Sequence, residues 1–193
     1  MAASVGAKVS AALADAMVLD REGKPSQLGQ RWRDRPALLV FLRHFGCIGC
    51  AEQVGVIAPR VPELVALGIA VVFVGNGAAQ FIDGFVERNG LAGQPIEIVT
   101  DPSCESFAAL ALERRKSAML SPRAAANALR ARLAGYGQTG IEGAGFQQGG
   151  IALVDTDGSL RYLHRDRTLG DHAPTSDVVD AVLALVARRS SAD

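Results

Sequence analysis

The sequence predicts an α/β fold with helices packed against a largely parallel central sheet, and three observations carry that expectation. Apolar runs of strand length occur at residues 36–41 and 70–74 without polar alternation, as in strands buried on both faces of a parallel sheet, and residues 96–100 read as a third short strand. Helix-like stretches separate them, and strands alternating with helices imply crossover connections. The last third changes character: residues 151–154 and 160–163 flank Asp155-Thr156-Asp157-Gly158, and a helix-periodic stretch follows. An antiparallel hairpin and a closing helix fit that pattern.

The elements follow in chain order. Residues 1–13 read as a short helix or an N-terminal arm, and Asp20-Arg21-Glu22-Gly23-Lys24 as a turn with Gly at a positive φ. After the strand at 36–41 a helical stretch is broken near Pro59 and Pro62. The strand at 70–74 leads through Gly75-Asn76-Gly77 to a helix over 78–89, and Asp101-Pro102-Ser103 opens a helix over 105–112. Ser121-Pro122 has the chemistry of a helix start, continuing to Leu133. Residues 135–150 are glycine-rich and form a loop, either a mobile lid over Cys47 and Cys50, to which the double Gln at its end points, or a solvated connection. The stretch 115–149 thus stands as a helical and Gly-rich insertion before the hairpin. Thr175 or Ser176 caps the final helix, whose apolar residues run from Val178 to Val186. Parallel βαβ units, then a hairpin and a helix, is the order of a thioredoxin-like fold with a mixed sheet.

At 193 residues the chain is expected to be one domain, 1–193, with a core large enough to need no staples. Lys+Arg and Asp+Glu both number 20, so the charge excess typical of nucleic-acid or anionic-membrane binding is missing. Aromatic residues are 5% of the chain, with no platform for stacked bases, and Trp32 and the Phe residues read as core. No apolar run reaches the ~20 residues of a membrane span. The N-terminal stretch lacks the pattern of a secretory signal, so a cytoplasmic protein is expected. Three cysteines are too few for a disulfide framework and read as reactive, ligating or buried thiols in a reducing compartment.

Cys47-Ile48-Gly49-Cys50 is the sharpest motif. It lies where a buried strand gives way to a helix, and the helix N-terminus favours an anion and lowers a thiol pKa. Two intervening residues let the sulfurs close a disulfide, so one thiolate can attack an oxidant and the other resolve the product. Half a zinc site is the rival reading, but no second ligand pair of suitable spacing exists. Arg43 and His44 leave the strand beside the pair, where sites form in open α/β sheets. Arg43 would stabilise the thiolate and His44 would move a proton, or either would face solvent. Cys104, at another helix start, reads as structural or as a further redox thiol. Gly75-Asn76-Gly77 falls short of a dinucleotide-binding fingerprint, so no bound cofactor is expected.

Arg43-His44-Phe45-Gly46-Cys47-Ile48-Gly49-Cys50, Gly75-Asn76-Gly77, Thr100-Asp101-Pro102, Gln147-Gln148-Gly149-Gly150 and His164-Arg165-Asp166-Arg167 with Asp171-His172 occur in that order. Together they resemble the peroxiredoxin-like proteins of the alkyl hydroperoxide reductase/thiol-specific antioxidant (AhpC/TSA) type, from about Met17 to Val186. The resemblance implies an oxidoreductase of the thioredoxin-fold superfamily that reduces a hydroperoxide or endoperoxide through Cys47 and Cys50. An external thiol, either a thioredoxin-like protein or a small thiol, would restore it, and a homodimer stays open. Supporting or substrate-facing roles would fall to Gln148, Gly149, Arg165, Arg167 and His172, although a mixed-charge run such as 164–172 also reads as a salt-bridged surface loop.

Two departures accompany the likeness. Gln147-Gln148-Gly149-Gly150 stands where thioredoxins carry a cis-proline, and Cys47 stands where typical peroxiredoxins carry a threonine, with no arginine before Ile151. Thioredoxin usage makes Cys47 the attacking thiol and Cys50 the resolving one, whereas peroxiredoxin alignment points to Cys50; the first assignment is taken here. The rival functions are a redox-sensing or interaction module without turnover, and a specialised biosynthetic enzyme whose pocket is shaped by residues 121–145.

Overall fold

The computed structural model describes residues 3–118 and 121–191. Met1 and Ala2 of the expected arm, and Met119 and Leu120 within 115–149, lie outside the described residues. Ser10 accepts from the amide of Leu13 and caps a short helix, α1 (Ala11–Ala14), whose Leu13 is fully buried. A hairpin of β1 (Met17–Leu19) and β2 (Pro25–Gln27) follows, its turn carried by Gly23 at φ +79°. Then come β3 (Ala37–Phe41), α2 (Ile48–Ile57), α3 (Val61–Ala66), β4 (Ala70–Gly75), α4 (Phe81–Arg88), β5 (Glu97–Thr100), α5 (Glu105–Ala109), α6 (Pro122–Leu133), β6 (Gly150–Val154), β7 (Leu160–Arg165) and α7 (Thr175–Ser190).

Among the described residues the sheet has seven strands in the order β2-β1-β5-β4-β3-β6-β7. Only β3, β4 and β5 run parallel; β6 joins β3 and β7 joins β6 antiparallel, while β1 joins β5 antiparallel at the other side. The sheet is therefore mixed, with its parallel part at the centre, as a thioredoxin-like fold requires. Strand residues alternate between two cores. Leu38, Val40, Val71, Phe73, Ile151 and Leu153 face a layer built from α2, α3, α4, α6 and α7. Ala37, Leu39, Phe41, Val72, Val74, Ala152 and Val154 face the thinner layer that holds Leu13, Trp32 and Phe107. Burial on both faces is why these strands read as continuous apolar runs.

Several boundaries differ from the sequence reading for local reasons. The stretch after β3 breaks into α2 and α3 through a 3-10 turn at Ala58–Arg60, beside the two prolines. The helix expected over 105–112 stops at Ala109, and Ala111 takes a left-handed φ of +55°. Ser121 caps α6 by accepting from the amide of Ala124 at 3.1 Å, as expected. Neither Thr175 nor Ser176 caps α7: Pro174 occupies the capping position, and Thr175 is already helical. Phe146 is the aromatic exception to the core reading, at 41% exposure. No helix among the described residues is long and apolar enough to cross a membrane.

Candidate active site

The C-terminal end of β3 delivers Arg43 and His44, and the chain then turns into α2 through Phe45 and Gly46. Cys47 occupies the capping position of α2, with extended backbone (φ −79°, ψ 129°), and Cys50 lies in the first turn. Both thiols are free and buried. The Cys50 side chain hydrogen-bonds to Cys47, whose sulfur also accepts from the amides of Gly49 and Cys50. These donors, with the Arg43 charge, outweigh burial and lower the Cys47 thiol from 9.0 to about 6. Cys50 moves the other way, raised by burial and by the negative sulfur beside it. One thiolate and one thiol is thus the resting arrangement near neutral pH.

Arg43 and His44 are both inside, 1% and 2% exposed, so neither faces solvent. The Arg43 amide donates to the Cys50 sulfur at 3.1 Å. Its guanidinium donates to the carbonyls of Gln147 (3.1 Å) and Gly145 (2.9 Å). His44 is lowered to about 4, first by burial and then by Arg43, so its ring is neutral at physiological pH. Nδ1 accepts from the amide of Glu142 at 3.4 Å, which leaves the proton on Nε2. A neutral imidazole held this way anchors the loop and is a weak acid, so the expected proton delivery by His44 has little driving force.

The glycine-rich segment folds over the cysteines as a strap. The Gln138 side-chain oxygen accepts from the amide of Ile48 at 3.1 Å, directly after Cys47. The amide of Thr139 donates to the Gly46 carbonyl at 3.1 Å. Asn76, buried at the end of β4, donates to the Arg43 carbonyl and accepts from the amide of Ala144 at 2.7 Å. Arg88 of α4 pairs with Glu142 at 2.8 Å. Two glycines make the close approach possible: a Cβ on Gly46 would lie 2.5 Å from the Gly140 carbonyl, and one on Gly77 would strike the Glu142 carbonyl. A cleft of about 400 Å³ remains, with Cys47, Phe45, Gly46, Ala51 and Gly55 on one side and Arg88, Tyr136 and Thr139 among the residues opposite.

The other expected residues divide into two places. Gln148 and Gly149 enter β6 directly beneath the site. The amide of Gln148 donates to Glu113, and a Cβ on Gly149 would land on the carbonyl of Phe41 and within 3.0 Å of the Asp166 carboxylate. His172 packs near Gly49 of the Cys-x-x-Cys motif, 3.6 Å from Asp166 on one side and 3.6 Å from Glu52 on the other. Glu52 receives a two-pronged bond from Arg130 at 3.0 and 2.9 Å, which ties α2 to α6. Burial raises Asp166 above the usual carboxylate range. Arg165 instead donates to the carbonyls of Leu110 and Ala3, both at 2.7 Å, and holds the chain start to the core. Arg167 is exposed and shares with Arg165 a separate polar cleft whose lining includes no cysteine. Cys104 has a left-handed φ of +61°, and its thiol is raised by burial and by Asp101, the reverse of activation.

Asn76, Gln138 and Glu142 are site residues that the sequence did not announce. Asn76 sits in a Gly-Asn-Gly turn signal, and the other two sit in a segment with no periodicity. Among the described residues no cluster of His, Cys, Asp and Glu could hold a metal ion.

Comparison with known proteins agrees with this architecture. A family model described as AhpC/TSA antioxidant enzyme matches residues 56–168, starting just after the cysteine pair. The thioredoxin-like protein AAED1, chloroplastic, from Arabidopsis thaliana is 32% identical over 94% of this chain and 77% of its own length. Human peroxiredoxin-like 2C is 31% identical over 92% of this chain and 81% of its own. Prostamide/prostaglandin F synthase from Salmo salar is 29% identical over 83% and 80%. Among solved structures, peroxidoxin BcpB from Mycobacterium tuberculosis superposes with a TM-score of 0.65 over 93% of this chain and 96% of that one, at 15% identity. With the model match spanning over half of its length, the chain belongs to the AhpC/TSA antioxidant-enzyme family, as a peroxiredoxin-like protein on a thioredoxin fold.

Proposed function

We propose that this chain is a thiol-dependent oxidoreductase that reduces an organic hydroperoxide or endoperoxide through a Cys47–Cys50 dithiol/disulfide cycle. The observation that carries the reading is the asymmetry of the pair, a Cys47 thiol lowered to about 6 beside a Cys50 thiol pushed up. Cys47 sulfur attacks one peroxide oxygen and the O–O bond breaks. A hydroperoxide leaves as an alkoxide that takes a proton from water, and Cys47 becomes a sulfenic acid. Cys50 then attacks that sulfur, water leaves, and the disulfide forms. An endoperoxide instead leaves both oxygens on the substrate, as two hydroxyls, when Cys50 displaces the second one. Two equivalents of an external thiol, from a thioredoxin-like protein or a small thiol, return the dithiol without a bound cofactor.

The apolar share of the cleft around Cys47, with Phe45, Ala51 and Tyr136, favours an organic peroxide over hydrogen peroxide. The relatives named prostamide/prostaglandin F synthase point the same way. A resting dithiol suits a reducing compartment such as the cytoplasm. The test is the intact mass of the reduced chain after one equivalent of cumene hydroperoxide, alongside Cys47→Ser and Cys50→Ser. The wild type should lose two hydrogens and Cys50→Ser should gain one oxygen. An unmodified wild type would refute the peroxide cycle and favour a redox-sensing or interaction module.

A further inference from the structure

We propose that Arg88 recognises an anionic group, typically a carboxylate, on the oxidised substrate, and that this group takes the place of Glu142 and unclasps the strap over Cys47. The inference rests on the reading of Cys47 as the attacking thiol, and it names the substrate class that the cleft selects.

The argument begins with charge. Arg88 is the one charged side chain among the described residues lining the cleft that holds Cys47; its other walls are small, aromatic or neutral polar. A cation at the mouth of a largely apolar cleft is the arrangement that orients an amphiphilic anion, head at the rim and body inside. Arg88 already engages a carboxylate there, that of Glu142 at 2.8 Å, which shows that its geometry suits such a head group. The pair is partly open to solvent, with side chains 35% and 15% exposed. A pair of that kind contributes little net free energy, so a competing carboxylate exchanges with it at small cost.

The second step concerns what Glu142 holds. Its amide donates to His44 Nδ1, and its neighbours reach Asn76 and Arg43 through Ala144 and Gly145. On the other side Gln138 covers the amide next to Cys47, and Cys47 itself is only 2% exposed. The strap thus shields the sulfur, and Arg88–Glu142 is its one side-chain ion pair to α4 among the described residues. Its partners at His44 and Asn76 are buried, whereas this clasp and the Gln138 contact lie on the outside, where a ligand arrives first.

The test uses two alkylating agents of nearly equal size, iodoacetate and iodoacetamide, on chains in which Ser replaces Cys50 and Cys104. Each transfers its methylene carbon to the Cys47 thiolate and releases iodide, so only the carboxylate distinguishes them. Rates are measured at a pH where Cys47 is fully ionised. The iodoacetate-to-iodoacetamide ratio should fall about threefold in Arg88→Ala, the loss of one screened charge contact. Glu142→Gln, which keeps Arg88 but opens the clasp, should raise both rates and keep or increase the ratio. An equal ratio in wild type and Arg88→Ala overturns the recognition, and unchanged rates in Glu142→Gln overturn the clasp. Alkylation needs no peroxide, so these outcomes stand apart from failure of the peroxide cycle, which the mass experiment reads.

Discussion

The amide of Arg43 donates to the sulfur of Cys50 at 3.1 Å, so a residue two positions past the end of β3 fixes the second cysteine from the strand side. The same sulfur is hydrogen-bonded to Cys47. Its lone pair is engaged from one direction and its proton is aimed in the other, which gives the two thiols unequal acidities in one short motif.

Cys50→Ala removes the donor that contributes most to lowering Cys47. The thiolate transition, read by absorbance at the thiolate band or by the pH dependence of iodoacetamide trapping, should then rise from about 6 by roughly one unit. A smaller thiolate fraction at neutral pH follows. If the transition stays in place, the helix amides and Arg43 suffice without Cys50.

His44 makes stability depend on pH in a defined window. Its folded value of about 4 lies below the ordinary 6.5, so the unfolded chain takes up a proton first as pH falls. Stability is complete above pH 6.5 and is lost on descent toward pH 4, by up to about 3 kcal/mol from this group alone. Urea unfolding of wild type and His44→Gln across that range should show a steeper decline for the wild type. Parallel curves would mean that His44 keeps an ordinary titration.

Asn76→Ala deletes two hydrogen bonds made by one buried amide, to the Arg43 carbonyl and from Ala144. The expected cost is about 2–3 kcal/mol in denaturant unfolding, because buried polar backbone groups lose their partners. Faster alkylation of Cys47 should accompany it as the strap loosens. An unchanged unfolding midpoint would count against this account.

Gly149→Ala places a methyl group against the Phe41 carbonyl where β3 and β6 pair. Both atoms are fixed by the sheet, so the strain cannot be relieved by a rotamer change, and a loss of roughly 1–3 kcal/mol is expected. Thermal unfolding measures it; a wild-type midpoint would show that the strand ends yield easily.

What the sequence disclosed and what it hid have distinct physical causes. The central strands were legible because burial on both faces leaves an apolar run with no polar interruption, as at Leu38 to Val40. The cysteine pair was legible because its chemistry depends on a local feature, the start of α2. The β1–β2 hairpin escaped because its strands have three residues each, and β2 reads Pro-Ser-Gln with no apolar signal. The glycine-rich segment was legible as a lid over the cysteines, but its contacts were not: Gln138 meets Ile48 and Glu142 meets His44 across 90 and 98 residues of chain, a separation that no periodicity reports. Arg165 and Arg167 belong to one short charged run, yet β7 pairing sends Arg165 toward Ala3 and Leu110. Local sequence does not say which side of a strand such a residue takes until the register is known.

The chain start has a consequence beyond its own packing. Gly6 and Ala7 exchange backbone hydrogen bonds with Leu160, Val9 bonds to Gly158, and Lys8 pairs with Asp157 at 2.8 Å. β7 is the last strand of the sheet on that side, and its free edge would offer unpaired amides and carbonyls to any passing strand. Residues 6–9 act as a selvedge at one corner, binding the edge at Leu160, where β7 begins and the sheet would otherwise fray or be stitched to a neighbour. Proteolytic trimming ahead of Ser10 would therefore endanger solubility before it touched the cysteines, and colloidal behaviour would report the damage sooner than chemistry.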